Sequence, residues 1–168
     1  MREGFNNALV GLSDNDVVVA LDADDSHNPF LIERMIKQLN EGSDVVIASR
    51  YQYGARISGL EKYREVASWV AGYLFRITAP IIGVRDYTCG FRAYRVSKMK
   101  EVMNHYQDNF IQEQGFSCMA EILLKIAKQK AIIHEVPMIL RYDRKEGESK
   151  LNFLKTVKQT LRLVTKRF

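Results

Sequence analysis

V-V-V-A-L-D-A-D-D-S-H-N-P, residues Val17 to Pro29, is an apolar run that ends abruptly in three carboxylates. Four β-favouring or small apolar residues followed by Leu21 read as a strand buried on both faces, because a half-exposed strand would alternate polar with apolar. Asp22, Ala23 and Asp24 then fall at its carboxyl end, where open α/β sheets bind their ligands. In an extended segment Asp22 and Asp24 leave the backbone on the same side, with Ala23 opposite. Two hard oxygen ligands so placed suit Mg²⁺ or Mn²⁺ shared with a diphosphate. Alone, D-x-D is a weak signal, since such pairs are common in turns, and Ser26 or Asn28 could simply cap the helix that Pro29 opens.

Working outward, Met1 to Leu12 reads as the end of a helix with Phe5, Ala8, Leu9 and Leu12 on one face. Pro29 to Leu39 is a helix with Leu31, Ile32, Met35, Ile36 and Leu39 inward. Asp44 to Ser49, D-V-V-I-A-S, is a second buried strand ending in Ser49, Arg50 and Tyr51, and its end lies near the first strand's end if the two are parallel neighbours. Tyr51 to Gly59 reads as a loop. Leu60 to Ile82 is long and apolar, but Arg76 in its middle would cost about 2.5–3.5 kcal/mol at a bilayer centre, so a helix partly buried and partly resting on a membrane interface is expected instead. Gly83 to Arg95 is a polar turn entering a short strand at Phe91 to Tyr94. Helices follow near Lys98 to His105 and Gly115 to Lys128, then strands Ala131 to Val136 and Met138 to Tyr142, parted by Pro137. Arg141 to Lys150 is a charged loop. Residues 151–168 form a basic amphipathic helix with Leu154, Val157, Leu161, Val164 and Phe168 on one side.

At 168 residues the chain has the length of one domain, and a chain of that size buries roughly 70% of its unfolded surface. Its 46% hydrophobic and 27% charged residues exclude a disordered tail. Cys89 and Cys118 lack metal-ligand or disulfide-framework spacing, and His27, His105 and His134 show none for a metal either. No apolar leader opens the chain, so secretion through a signal peptide is not expected. A net charge of +5 calls for an anionic partner. Because the cations are spread between the last helix and several loops rather than on one base-reading element, nucleic acid is the last choice for that partner.

Four ordered stretches, V-A-L-D-A-D-D-S-H-N-P, A-S-R-Y, R-D-Y-T-C-G-F-R-A-Y-R and E-G-E-S-K-L, resemble the polyprenyl-phosphate hexosyltransferases of glycosyltransferase family 2, the dolichyl-phosphate mannose synthase group. The resemblance covers nearly the whole chain. It implies a GT-A, Rossmann-like α/β fold: a mixed, mostly parallel sheet with flanking helices, as a partial catalytic domain over residues 1–150 and the basic helix over 151–168. It also implies inverting transfer of a hexose from a nucleotide sugar, GDP-mannose or UDP-glucose, to polyprenyl phosphate at the cytoplasmic face of a membrane. Asp22 and Asp24 match the metal-binding D-x-D, with Ser26 as a further ligand. Arg50, Arg64 and Arg144 match arginines that face phosphates, a task guanidinium suits because it stays charged and grips phosphate oxygens in pairs. Ser149 and Lys150 add to the substrate site. Asp86 and Arg92 match the catalytic sugar site, where Asp86 orients the substrate or assists the nucleophile; structurally, Asp86 could instead cap a turn with Arg92 as its ion-pair partner.

The family opens with two βα units that hold the base and ribose, and this chain begins after them. The expectation is therefore a truncated gene product, a fragment or half of a split enzyme, with a complementary chain or a homo-oligomer among its candidate partners. Asp25 and Asn28 stand where relatives carry an apolar residue and proline, and Cys89 where they carry serine. A transferase with a polysaccharide or soluble acceptor, and a non-catalytic module that binds nucleotide sugar and membrane, remain as alternatives.

Overall fold

The computed structural model describes residues 1–60, 62–113, 115 and 117–144, so Ser149, Lys150 and the basic helix expected over 151–168 lie outside the described residues. In chain order the elements are α1 (Arg2–Ala8), β1 (Val17–Ala20), α2 (Leu31–Asn40), β2 (Val45–Ser49), β3 (Arg56–Ser58), α3 (Lys62–Thr78), β4 (Arg92–Arg95), α4 (Val96–Tyr106), α5 (Ser117–Lys128), β5 (Ile133–Pro137) and β6 (Ile139–Arg141).

The main sheet has the order β1-β4-β2-β5. β4 runs antiparallel to both neighbours, with Arg92 opposite Ala20 on one side and Ile47 on the other, while β2 and β5 are parallel with Ser49 beside Pro137. β1, β2 and β5 therefore point the same way and β4 alone runs against them. This mixed sheet with flanking helices is the α/β class read from the sequence. Its polarity has a consequence for the site: the segment that enters β4 arrives at the edge where the other three strands end.

Three expectations about the strands are corrected. β1 is not buried on both faces; its four residues are half-buried, because it is the last strand of the sheet and Leu21 beyond it is 44% exposed. Nor are β1 and β2 neighbours, since β4 is inserted between them. The segment expected to be a loop from Tyr51 to Gly59 contains β3, which pairs in parallel with β6 in a second, two-stranded sheet. Three residues with one half-buried side chain carry too little pattern to be read locally.

β2 is the centre of the core, with all five residues buried. α2 lies on β2 and β4 through Met35 and Leu39, both fully buried, whereas Ile36 remains 37% exposed because it sits at the margin of the inward stripe. Each such buried side chain contributes about 1.5–3 kcal/mol by leaving water. Phe5 of α1 meets Tyr94 of β4 edge to face at 5.6 Å. α5 is buried along its length, and the inward set expected from its sequence, Met119, Ile122, Leu123 and Ile126, is in the core. Its opposite face holds a buried ion pair, Glu121 with Lys125 at 2.7 Å, which also accepts and donates hydrogen bonds to the backbone between Asn109 and Glu113. Amphipathic spacing would have left those two charges in water.

α3 ends at Thr78, short of the Ile82 expected from its apolar run, because the residue before Pro80 is disfavoured in helical geometry. Phe75 stacks on Tyr87 at 5.3 Å, and Gly72 passes close to the Arg85 carbonyl. The far side of α3 presents Val66, Trp69, Val70, Tyr73 and Ile77 to solvent. Among the described residues no helix is long and apolar enough to cross a membrane.

Candidate active site

The acidic segment follows the end of β1 rather than extending it. Beyond Ala20 the strand has ended and the chain bends at 23–25 and again at His27, so the alternation expected of Asp22 and Asp24 does not apply; a turn, not a pleat, aims them. That turn is closed by side chains. Asp24 Oδ1 accepts hydrogen bonds from Ser26 N–H at 3.2 Å and from the Ser26 hydroxyl at 2.5 Å. His27 Nδ1 accepts the Asp22 N–H at 3.2 Å, and the Ser26 carbonyl accepts the Arg141 N–H at 3.0 Å. Asp25 adopts the left-handed region, φ 57°, which aspartate tolerates better than most residues. Ser26 does not cap α2; Asn28 Oδ1 instead accepts the Phe30 N–H at 3.1 Å at the helix entrance.

Asp22 is exposed, Asp24 half-buried and Ser26 buried. Two carboxylates on one turn fit a hard divalent cation that keeps waters and takes its remaining ligands from a diphosphate. They form no group of three or more His, Cys, Asp or Glu side chains among the described residues. The Ser26 hydroxyl, committed to Asp24, orients that carboxylate.

The second part of the site lies across the sheet edge. Asp86 is fully buried and accepts from Arg50 three times: the backbone N–H at 3.0 Å and Nε at 2.8 Å on Oδ2, and Nη2 at 2.7 Å on Oδ1. Thr88 and Cys89 donate their N–H groups to Oδ1 as well. Burial would raise this carboxyl, but the Arg50 charge and its hydrogen bonds outweigh burial and hold it below the ordinary range. Burial likewise disfavours the Arg50 cation, yet Asp86 overrides it and the guanidinium is held above its usual value. Five N–H donors make Asp86 an anchor for Arg50. Arg50 also donates to Thr88 Oγ1 at 2.7 Å and stacks over Tyr51 at 5.3 Å. Its side chain keeps 15% of its surface exposed, with Nε and Nη2 engaged by Asp86 and Thr88.

Glu135 of β5 fixes this loop from below, accepting the N–H groups of Arg85 and Asp86 on one oxygen, each at 2.7 Å. Its burial raises its carboxyl above the usual value, partly offset by those N–H groups. Tyr51, whose phenol burial also raises, donates to Ser68 of α3 at 2.9 Å, joining the A-S-R-Y segment to that helix.

A catalytic role is expected of Arg92, and the structure places its side chain inside the protein. Arg92 is fully buried and donates from Nη1 to the Met119 carbonyl and from Nη2 to the Tyr87 carbonyl, both at 2.7 Å. Its donors are turned into the protein, so it braces the loop before β4. The ion-pair partner of Asp86 is Arg50, not Arg92. Arg144 does approach the acidic turn, with Nη1 4.0 Å from Asp25 Oδ2 and both side chains exposed, a contact of little energetic weight. Arg64 falls on the first turn of α3, and its side chain is outside the described set. Thr88 and Glu135 were not singled out in the sequence, and His27 was considered there only as a metal ligand. Their position inside the quoted motifs, or two residues before Pro137 at a strand end, was the available signal.

Fold and site define a mixed α/β domain that gathers an acidic turn and a buried arginine–carboxylate clamp at the edge where its co-directional strands end. The glycosyl transferase family 2 model matches residues 5–103. The chain is 37% identical over 165 residues to a dolichol-phosphate mannosyltransferase of Pyrococcus furiosus, covering 96% of this chain and 44% of that protein. It is 30% identical over 137 residues to an undecaprenyl-phosphate mannosyltransferase of Micrococcus luteus, 82% of this chain and 54% of that one. A polyprenol monophosphomannose synthase of Mycolicibacterium smegmatis is 29% identical over 136 residues, 81% of this chain and 49% of its own length. The chain belongs to glycosyl transferase family 2, and it spans about half the length of these relatives.

Proposed function

We propose that this chain carries the metal-binding and phosphate-binding part of a glycosyltransferase that moves a hexose from GDP-mannose or UDP-glucose to polyprenyl phosphate, with inversion. The observation that supports it most is the meeting of the Asp22–Asp24 turn with the Arg50–Asp86 clamp at one sheet edge, in a chain similar to three polyprenyl-phosphate mannosyltransferases. In this reading Asp22 and Asp24 hold Mg²⁺ or Mn²⁺ against the donor diphosphate, and the bound ion neutralises charge on the departing group. Arg50, oriented by Asp86, faces the acceptor phosphate, and Arg64, Arg144, Ser149 and Lys150 add charge and donors around it. No strong general base is required, since a lipid phosphate is already an anion at neutral pH, which agrees with the low proton affinity of Asp86.

A lipid acceptor is favoured over a soluble one by the outward face of α3. Trp69 and Tyr73 stack there in parallel at 5.5 Å between exposed Val66, Val70 and Ile77, a mixture suited to the interface of a membrane. The basic helix of 151–168 belongs to the same docking surface in this proposal, at the cytoplasmic face.

Titration with GDP-mannose and UDP-glucose, in Mn²⁺ and in EDTA, tests the reading on the wild type, Asp22→Ala and Asp24→Asn. Metal-dependent binding that both variants lose, followed by transfer to polyprenyl phosphate in vesicles, is the expected result. Metal-independent binding, or binding that survives both substitutions, overturns the site.

A further inference from the structure

We propose that His27 is the positioning residue that sets the acidic turn against the T-C-G-F segment. The inference rests on the metal reading of Asp22 and Asp24. His27 is 7% exposed, and two of its contacts carry the inference. Nδ1 accepts the Asp22 N–H at 3.2 Å, and the ring stacks on Phe91 at 5.1 Å with 30° between planes.

An accepting Nδ1 must keep its lone pair, so in a neutral ring the proton sits on Nε2. The first contact closes the turn from Asp22 to His27. The second ties that closed turn to the residue preceding β4, in the segment that contains the Asp86 clamp. The same approach recurs one residue earlier, where a β-carbon on Gly90 would stand 3.5 Å from Asp22 Oδ1. The Ser26 bonds to Asp24 act within the turn and the Arg141 bond reaches the β6 segment; His27 joins the turn to the loop that carries Asp86. If Asp22 and Asp24 carry the donor and Arg50 the acceptor phosphate, His27 fixes the distance between the two substrates. Groups that orient metal ligands in this way typically change metal affinity 10–100-fold when removed.

Two variants divide the contacts. His27→Phe keeps a ring on Phe91 and removes the acceptor; His27→Asn keeps an acceptor near the Nδ1 position and removes the stack. Mn²⁺ binding is read by electron paramagnetic resonance on folded protein, and wild-type His27 is read by long-range ¹⁵N imidazole spectra without metal. The expected results are an Nε2–H tautomer, and Mn²⁺ affinity lowered about tenfold or more in His27→Phe with partial recovery in His27→Asn. An Nδ1–H tautomer overturns the inference whether or not the variants fold. Wild-type Mn²⁺ binding that His27→Phe leaves unchanged overturns the inference alone, whereas a wild type that binds no Mn²⁺ overturns the metal reading on which it stands.

Discussion

Removing the Asp86 carboxylate tests the central clamp most directly. In Asp86→Ala the Arg50 guanidinium, whose side chain is only 15% exposed, loses its counter-ion, and the backbone N–H groups of Arg50, Thr88 and Cys89 lose their acceptor. Breaking a buried pair from one side costs about 3–5 kcal/mol. For a chain of this length that corresponds to a fall of about 6–20 °C in Tm, at roughly 2–4 °C per kcal/mol. The pH dependence carries the sign. Asp86 is held below its unfolded value when folded, so its contribution is complete above the unfolded carboxylate range near pH 4 and is lost as pH falls through the folded value. Thermal unfolding followed by circular dichroism from pH 3 to pH 8 should show a constant gap between wild type and Asp86→Ala above about pH 5 that narrows under acid. Adding Arg50→Ala should be far from additive, with a coupling of up to about 3 kcal/mol. A gap that persists unchanged to pH 3, or additive single variants, would refute the clamp.

Other perturbations follow from separate contacts. Gly59 has φ +79° and a β-carbon there would stand 2.5 Å from the Asp143 nitrogen, whereas Gly11 at φ +76° faces open space. Both alanine variants carry the roughly 1–2 kcal/mol of left-handed strain, and urea unfolding should show Gly59→Ala losing clearly more than Gly11→Ala. Lys125→Met strands the buried Glu121 carboxylate and should cost about 3–5 kcal/mol, part of which returns in the Glu121→Gln/Lys125→Met double variant because the uncompensated charge is gone. Burial pushes the Cys89 thiol up to about 12 and raises Cys118 as well. Ellman's reagent at pH 8 should therefore leave both nearly untouched in native protein and modify both in urea.

The sequence by itself determined the α/β class, the sites of most helices and strands, and the acidic turn at the end of the first strand. Those features are local: an apolar run of strand length, 3.6-residue spacing in α2 and α5, and carboxylates beyond the last apolar residue. It also carried the family through four ordered motifs. Burial around a helix was not local: the Asn109–Glu113 backbone closes over Glu121 and Lys125, on the face of α5 away from its apolar stripe. Strand order and direction were decided only in the tertiary structure, where β4 entered antiparallel between β1 and β2 and brought the Asp86 loop to the edge holding Asp22 and Arg50. That placement chose Arg50 rather than Arg92 as the partner of Asp86. Both arginines lie near Asp86, but Arg92 had already entered the strand and turned inward, where its cation satisfies two buried carbonyls.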